Sequence, residues 1–308
     1  MSTPVRHLPC LLLAMLASSL GACSRDTQQA RNKQGEPPPS VASKRVTIQN
    51  KGSDTLVNVA QSWAEAYAAV RPESPIAVSG GGTGTGVSAL INGTADLVNA
   101  SRELTQKERD MAKQRGVEPV ARVVGHDAVA IFVHKDNPKK SFSIAELVEI
   151  YAESGRVERW SHLGVQVPGC PSDEIVLLSR QNNSGTYEYF KQAILGKQRE
   201  FRLGSRDLHG SKDVVDLVGK TPCAIGYSGL AYNTAAVHMA CIKKGDACVV
   251  PSVNSALDGS YPIARPLFMV TDGQPQGALQ AYLNWIDTDT AQCIIARQGY
   301  APVRQVKC

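Results

Sequence analysis

Short apolar runs and helix-spaced apolar positions take turns along most of the chain, the mark of repeated strand–loop–helix units. Residues 46–48 (Val-Thr-Ile) read as a strand, and Leu56, Val59, Ala60, Trp63, Tyr67 and Val70 then fall on one helical face that Pro72 and Pro75 close. Residues 76–78 predict a second strand, 87–91 a short helix stopped by Gly93, and 96–98 a third strand. Thr105 with Glu108, and Ser143 with Glu146, each match a capping box that opens a helix. Between them, residues 128–133 form a β-rich run ahead of Asn137-Pro138. Further on, 175–178 and 224–227 read as strands, 186–195 as a helix stopped at Gly196, and 214–218 as a short helix. A late strand at 267–270 precedes helices at 278–286 and 291–297. The alternation implies an α/β fold with helices on the faces of a sheet.

The first residues break the pattern. Arg6-His7 precedes an apolar run over 8–20, and Leu20-Gly21-Ala22-Cys23 follows. The run is short for a membrane span and fits a secretory signal peptide, residues 1–22. Its end at a cysteine resembles a bacterial lipoprotein signal, which implies that Cys23 becomes the lipidated N-terminus. Acyl chains there would anchor the protein at about 0.8 kcal/mol per buried CH₂. An ordinary secreted protein with a chance cysteine is the alternative. Residues 23–44, with Pro37-Pro38-Pro39 and almost no apolar periodicity, read as a flexible tether.

The 308 residues, 43% hydrophobic and 20% charged, suffice for two lobes. The formal net charge of +5 is spread without blocks, and with 6% aromatics the chain lacks the basic face and stacking platforms of a nucleic-acid binder. Of eight cysteines, setting aside Cys10 and Cys23 leaves six, an even set that export favours as disulfides over a metal site. Cys241 and Cys248 flank a turn, Lys243-Lys244-Gly245-Asp246, that would bring them within bridging distance. Connectivity is otherwise open, and the expected set is Cys170–Cys223, Cys241–Cys248 and Cys293–Cys308.

The candidate chemistry lies in four loops, each joining the end of a short strand to the start of a helix. They are Gly52-Ser53-Asp54-Thr55, the glycine-rich 80–86, Ala100-Ser101-Arg102, and 180–186, which runs from Arg180 to Ser184-Gly185-Thr186. Helix starts leave backbone N–H groups unpaired and carry partial positive charge, so several converging would make an anion site. Hydroxyls and guanidinium forks suit a tetrahedral oxyanion. Each loop also has a plainer explanation. Ser53, Asp54 and Thr55 are common helix caps, and Arg102 and Arg180 could be solvated or salt-bridged. Five glycines in the seven positions of 80–86 exceed what one tight turn needs. Val87 stands where a nucleotide-binding loop requires lysine. No serine lies in a G-x-S-x-G elbow, and the histidines outside the signal lack metal-ligand spacing. No cofactor is called for.

Together the loops resemble those of the phosphate-binding proteins of the bacterial Pst uptake transporter. That family places a Gly-Ser-x-Thr segment, a glycine-rich Ser/Thr loop, an Ala-Ser-Arg or Ala-Ser-Asp segment, and an arginine with Ser-Gly-Thr four residues on around its ligand. Asp127 to His134 and 224–230 look like further family segments, so the similarity spans roughly residues 46–303. The resemblance implies a two-lobed periplasmic-binding-protein (type II) fold with mixed sheets, and phosphate closed between lobes by a hinge. Crossovers near Gly125 and Tyr261 give lobe I as 45–126 with 262–308, and lobe II as 127–261. Carried onto this sequence, the contacts are Thr55, the Leu56 backbone, Thr83, Arg102, Arg180, Ser184, the Gly185 backbone and Thr186. Where Arg102 stands, other branches carry an Asp that accepts the ligand's proton. Asp127, at the start of the strand leaving the first lobe, is the candidate substitute acceptor, with capping or a salt bridge to an arginine as the equal alternative. The implied protein is a monomeric, lipid-anchored lipoprotein on the periplasmic side of the cell envelope. It would be no enzyme, handing phosphate to the permease of an ABC transporter. An exported phosphatase or phosphodiesterase, and a phosphate-sensing or adhesive surface lipoprotein, are the competing readings.

Overall fold

Strand–loop–helix units recur along the described chain, broken by successive strands over residues 119–143 and 224–249. The computed structural model describes residues 47–308, so the signal peptide at 1–22, lipidation at Cys23, the tether at 23–44 and the strand residue Val46 lie outside the described residues. The first units are β1 (Ile48–Gly52), α1 (Val57–Val70), β2 (Ile76–Ser79), α2 (Thr83–Ile91), β3 (Leu97–Ala100) and α3 (Gln106–Gln114). The long β4 (Pro119–His134) follows, then β5 (Ser141–Ser143), α4 (Ile144–Tyr151), β6 (Val176–Arg180) and α5 (Gly185–Phe190). Next come β7 (Arg206–Leu208), α6 (Ser211–Lys220), β8 (Ala224–Gly229), β9 (Val237–Lys244), β10 (Ala247–Val249) and α7 (Val253–Leu257). The chain ends through β11 (Ala264–Asp272), α8 (Gly277–Ile286) and α9 (Asp289–Arg297).

The strands form a mixed sheet in the order β2-β1-β3-β11-β4-β8-β6-β7, with β9 on β4 carrying β5 and β10. β1 pairs in parallel with β2 and β3, and β6 in parallel with β7 and β8. Between these groups β4 and β11 run antiparallel, paired from Asp272↔Pro119 to Ala264↔Ala128 with a bulge between Leu267 and Phe268. Beyond Ala128, β4 changes partners and pairs with β8 and β9. One buried cluster gathers Phe132, Trp160, Phe190 and Tyr227 around the second half of β4. Others gather Trp63, Tyr67, Met269 and Tyr282 on one face of the β1–β3 group, and Val87, Leu90, Val98 and Val270 on the opposite face. Phe190 stacks on Tyr227 with ring centroids 3.8 Å apart, which locks α5 onto β8.

Several boundaries differ from the sequence expectation for local reasons. α2 begins at Thr83, inside the glycine-rich segment, and not at 87. Its first turn has no apolar residue to announce it, and Gly86 lies so close to β1 that a β-carbon there would sit 2.6 Å from the Lys51 carbonyl oxygen. The apolar run at 128–133 begins nine residues after β4 starts, because the first five residues of the strand are half-buried or exposed and carry no continuous apolar signal of a core strand. Val70 is 58% exposed, since the last turn of α1 overhangs the core. α5 widens into a π-helical turn, Lys191–Leu195, that buries Ile194 and Leu195.

Both capping boxes form as expected. Thr105 accepts from the Glu108 N–H while Glu108 accepts from the Thr105 N–H, and Ser143 and Glu146 do the same for α4. Glu108 also takes a fork from Arg102, at 2.7 and 2.8 Å. Burial pushes the Glu108 carboxyl up, but the bonds from Arg102 and Thr105 outweigh it and hold it below the ordinary carboxylate value. The six cysteines pair as Cys170–Cys223, Cys241–Cys248 and Cys293–Cys308. The second pair bridges the β9–β10 hairpin. Among the described residues no helix is long and apolar enough to cross a membrane.

Two stability outcomes follow from these constraints. A depressed carboxyl contributes stability above its unfolded pKa and loses it as pH falls through the folded one. Glu108→Gln should therefore unfold at lower urea than the parent at neutral pH, with the gap closing in acid; a gap independent of pH would assign Glu108 to packing alone. For the disulfides, loop entropy ranks the losses by sequence separation, 53, 15 and 7 residues. Replacing Cys170 and Cys223 by serine should cost about 4 kcal/mol and the Cys241–Cys248 pair about 2. Urea melts giving the reverse order would reject the chain-entropy account.

Candidate functional site

Three of the candidate loops follow the C-terminal ends of the parallel strands β1, β3 and β6, and the fourth opens α2. At such strand ends the chain must turn into a helix or loop, and backbone donors gather there. The loops also touch one another. The Gly84 N–H donates to the Asn183 carbonyl at 3.0 Å. Asn183 Nδ2 donates to the Gly81 carbonyl at 3.0 Å and to Thr85 Oγ1 at 3.2 Å. Thr55 Oγ1 and Thr186 Oγ1 lie 3.0 Å apart although 131 residues separate them in sequence.

Two glycines are required by this closeness. A β-carbon at Gly185 would fall 2.3 Å from Thr83 Oγ1 and 2.4 Å from Ser101 Oγ. Gly82 caps α2 with φ of 88°, and a β-carbon there would meet the Asn183 carbonyl oxygen at 2.7 Å.

The hydroxyls form two connected groups. Ser53 donates to Ser101 Oγ at 2.8 Å, and Thr83 Oγ1 accepts the Ser101 N–H at 3.2 Å. Ser184 caps α5, accepting from the N–H groups of Thr186 and Tyr187 at 3.1 and 3.4 Å, so its own proton is left to donate elsewhere. The Leu56 N–H closes a turn onto the Ser53 carbonyl at 3.1 Å. Thr55 is held from behind by Tyr300, whose hydroxyl donates to its carbonyl at 2.5 Å. Tyr232 donates to the Asp54 carbonyl at 2.6 Å, and burial pushes the Tyr232 hydroxyl up to about 12, so it stays a donor at neutral pH.

Arg180 is buried at the end of β6. Its Nη2 meets Asp54 Oδ2 at 3.3 Å and donates to the His209 carbonyl at 2.6 Å, while Nη1 donates to Ser211 Oγ at 2.8 Å. Burial lowers its pKa, with Asp54 working against that fall. Arg102 lies beside the glycine loop, its Nη2 3.8 Å from where a β-carbon of Gly84 would stand, with its fork committed to Glu108. Asp127 faces Arg265: Oδ2 accepts from Nε at 3.1 Å and Nη2 at 2.8 Å, and Oδ1 accepts the Leu230 N–H at 3.2 Å. Burial pushes the Asp127 carboxyl up, and Arg265 opposes the rise. Three bonds accepted and none donated are the pattern of a carboxylate.

Three participants escape a reading of the sequence. Ser101 sits within a candidate loop, but its part in the hydroxyl network has no signal of its own. Asp54 has the sequence look of a cap, and in the structure it accepts the Gly81 N–H at 2.9 Å and faces Arg180. Arg265 lies in β11 outside every loop, and only the register Arg265↔Asp127 places it at the site. An arginine just before an otherwise apolar strand is the one available clue. Among the described residues no group of His, Cys, Asp and Glu is arranged to hold a metal ion.

Residues 34–290 match the PBP superfamily domain. The phosphate-binding protein PstS of Pseudomonas aeruginosa is 34% identical over 269 residues, covering 83% of each chain. PstS of Bacillus subtilis is 28% identical over 299 residues, 96% of this chain and 94% of that one. A crystal structure of a putative phosphate ABC transporter substrate-binding protein from Clostridium perfringens, with bound phosphate, matches at a TM-score of 0.74 and 25% identity. The match covers 84% of this chain and all of that one. With a superfamily match over most of its length and a relative above the level at which descent is secure, the chain belongs to the PBP superfamily and, within it, to the PstS family of phosphate-binding proteins.

Proposed function

We propose that this protein binds inorganic phosphate non-covalently between two lobes and hands it to the membrane permease of an ABC transporter. Nothing is catalysed. The carrying observation is the convergence of hydroxyls from three distant segments, Thr83, Ser101 and the Ser184–Thr186 turn, with the buried Arg180 joined to the glycine-rich loop through Asp54. Oxyanion oxygens need donors, and these loops supply O–H, N–H and guanidinium groups in one place. The relatives named for phosphate binding, and the phosphate held by the Clostridium perfringens protein, support the same ligand.

In this reading Thr55, Leu56, Thr83, Ser184, Gly185, Thr186 and Arg180 surround the anion. Arg102 and Asp127 complete the set, each also held in an ion pair, with Glu108 and Arg265, as Arg180 is with Asp54. The lobes divide as 45–126 with 262–308, and 127–261. Supporting that division, the buried clusters change between Val124 and Ala128, and between Ile263 and Leu267. The protein acts as a monomer on the periplasmic side, tethered through lipid at Cys23; the Leu-Gly-Ala-Cys ending of the apolar run supports the anchor.

Two measurements check the reading. Calorimetric titration of phosphate into protein stripped of bound anion should give saturable one-to-one binding, and heats seen only with other anions would remove phosphate as the ligand. Arg180→Ala should weaken that binding by about 2–5 kcal/mol, since it removes a buried charge-assisted partner. Undiminished affinity would take Arg180 out of the site.

A further inference from the structure

Arg265 reaches across the site from a sheet strand that carries none of the candidate loops. Its side chain and that of Asp127 are both fully buried. From near the start of β11, where that strand pairs with β4, its guanidinium meets three separate segments. Nη1 donates to the Ser101 carbonyl at 3.0 Å, after β3. Nη2 reaches Thr55 Oγ1 at 3.3 Å, after β1, and Thr186 Oγ1 at 3.0 Å, in the first turn of α5. Asp127 on β4 fixes the other edge of the fork, and the Tyr189 ring covers the guanidinium with its centroid 5.4 Å away.

A guanidinium carries only donors, so a threonine oxygen that meets it must accept. That constrains the hydroxyl protons. One proton serves the 3.0 Å contact between Thr55 and Thr186; the other has no further partner among the described residues. With both oxygens engaged by Nη2, the remaining proton is left as a donor directed away from Arg265. The Thr55–Thr186 pair thereby offers one donor of fixed sense, suited to an unprotonated oxygen of a tetrahedral anion at that corner.

We propose that Arg265 is a positioning and specificity residue for anion binding: held by Asp127, it orients the Thr55–Thr186 hydroxyl pair so that its one free proton points to the anion, and ties their loops to the strands that run between the two halves of the sheet. This inference rests on the phosphate reading above. The rival role for Arg265 is simple neutralisation of a buried Asp127, which would make the pair a matter of stability and not of binding.

The test uses the full protein stripped of anion, with inorganic phosphate as the calorimetric probe and urea melts alongside. Arg265→Lys keeps the charge but loses the planar fork, and should weaken binding about 10- to 150-fold, the range for a charge-assisted hydrogen bond. The charge-balanced double variant Arg265→Gln with Asp127→Asn should remain weakened by a similar factor even where its urea midpoint approaches the parent's. If Arg265 works through the threonine, adding Thr186→Val to Arg265→Lys should cost less than the product of the two single losses. Parent-like affinity in the charge-balanced variant, or strictly multiplicative losses with Thr186→Val, would overturn the proposal. Absence of phosphate binding by the unaltered protein would instead bring down the functional reading on which it rests. Should Arg265→Lys fail to fold, the charge-balanced variant decides alone.

Discussion

The Asp127–Arg265 pair is the constraint around which the rest of the molecule is arranged. Two opposite charges with no solvent exposure stand face to face on neighbouring antiparallel strands. Burying them costs several kcal/mol per ion unless hydrogen bonds replace the lost water. Replacement partners come from Leu230, Ser101, Thr55 and Thr186, which belong to four separate segments. Satisfying one guanidinium therefore fixes the relative positions of the loops after β1 and β3 and the start of α5.

The same logic extends outward through smaller contacts. Asp54 joins the glycine loop to Arg180, and Tyr232 and Tyr300 hold the Asp54–Thr55 backbone from the other side. Glycine at 82 and 185 lets these segments approach at distances that a β-carbon would forbid. Separate apolar clusters on the two parts of the sheet keep each half rigid, while β4 and β11 carry the chain between them. A small anion held among donors from both halves would then add its own bonds to a framework that is already placed. Preorganisation of this kind lowers the ordering cost of binding.

Much of the architecture was legible because it is periodic. The face of α1 with Val59, Ala60, Trp63 and Tyr67 is buried as its spacing required, and both capping boxes form. The Cys241–Cys248 bridge followed from a turn that the local residues encode. The early start of α2 at Thr83 was hidden by glycines, which have poor helix propensity and no apolar signal. The first half of β4 was hidden by its half-exposed positions.

By itself the sequence determined the α/β alternation, the loops rich in hydroxyls and glycine, and the family pattern that they spell. These are local properties, set by side-chain chemistry and spacing within a dozen residues. Only the tertiary structure decided the partners of the charged groups. Arg102 turned to Glu108 six positions along, whereas Asp127 found Arg265 across 138 residues through strand register. A buried charge takes whatever counter-charge the fold brings within hydrogen-bond reach, and that distance is a property of the packed sheet, invisible along the chain.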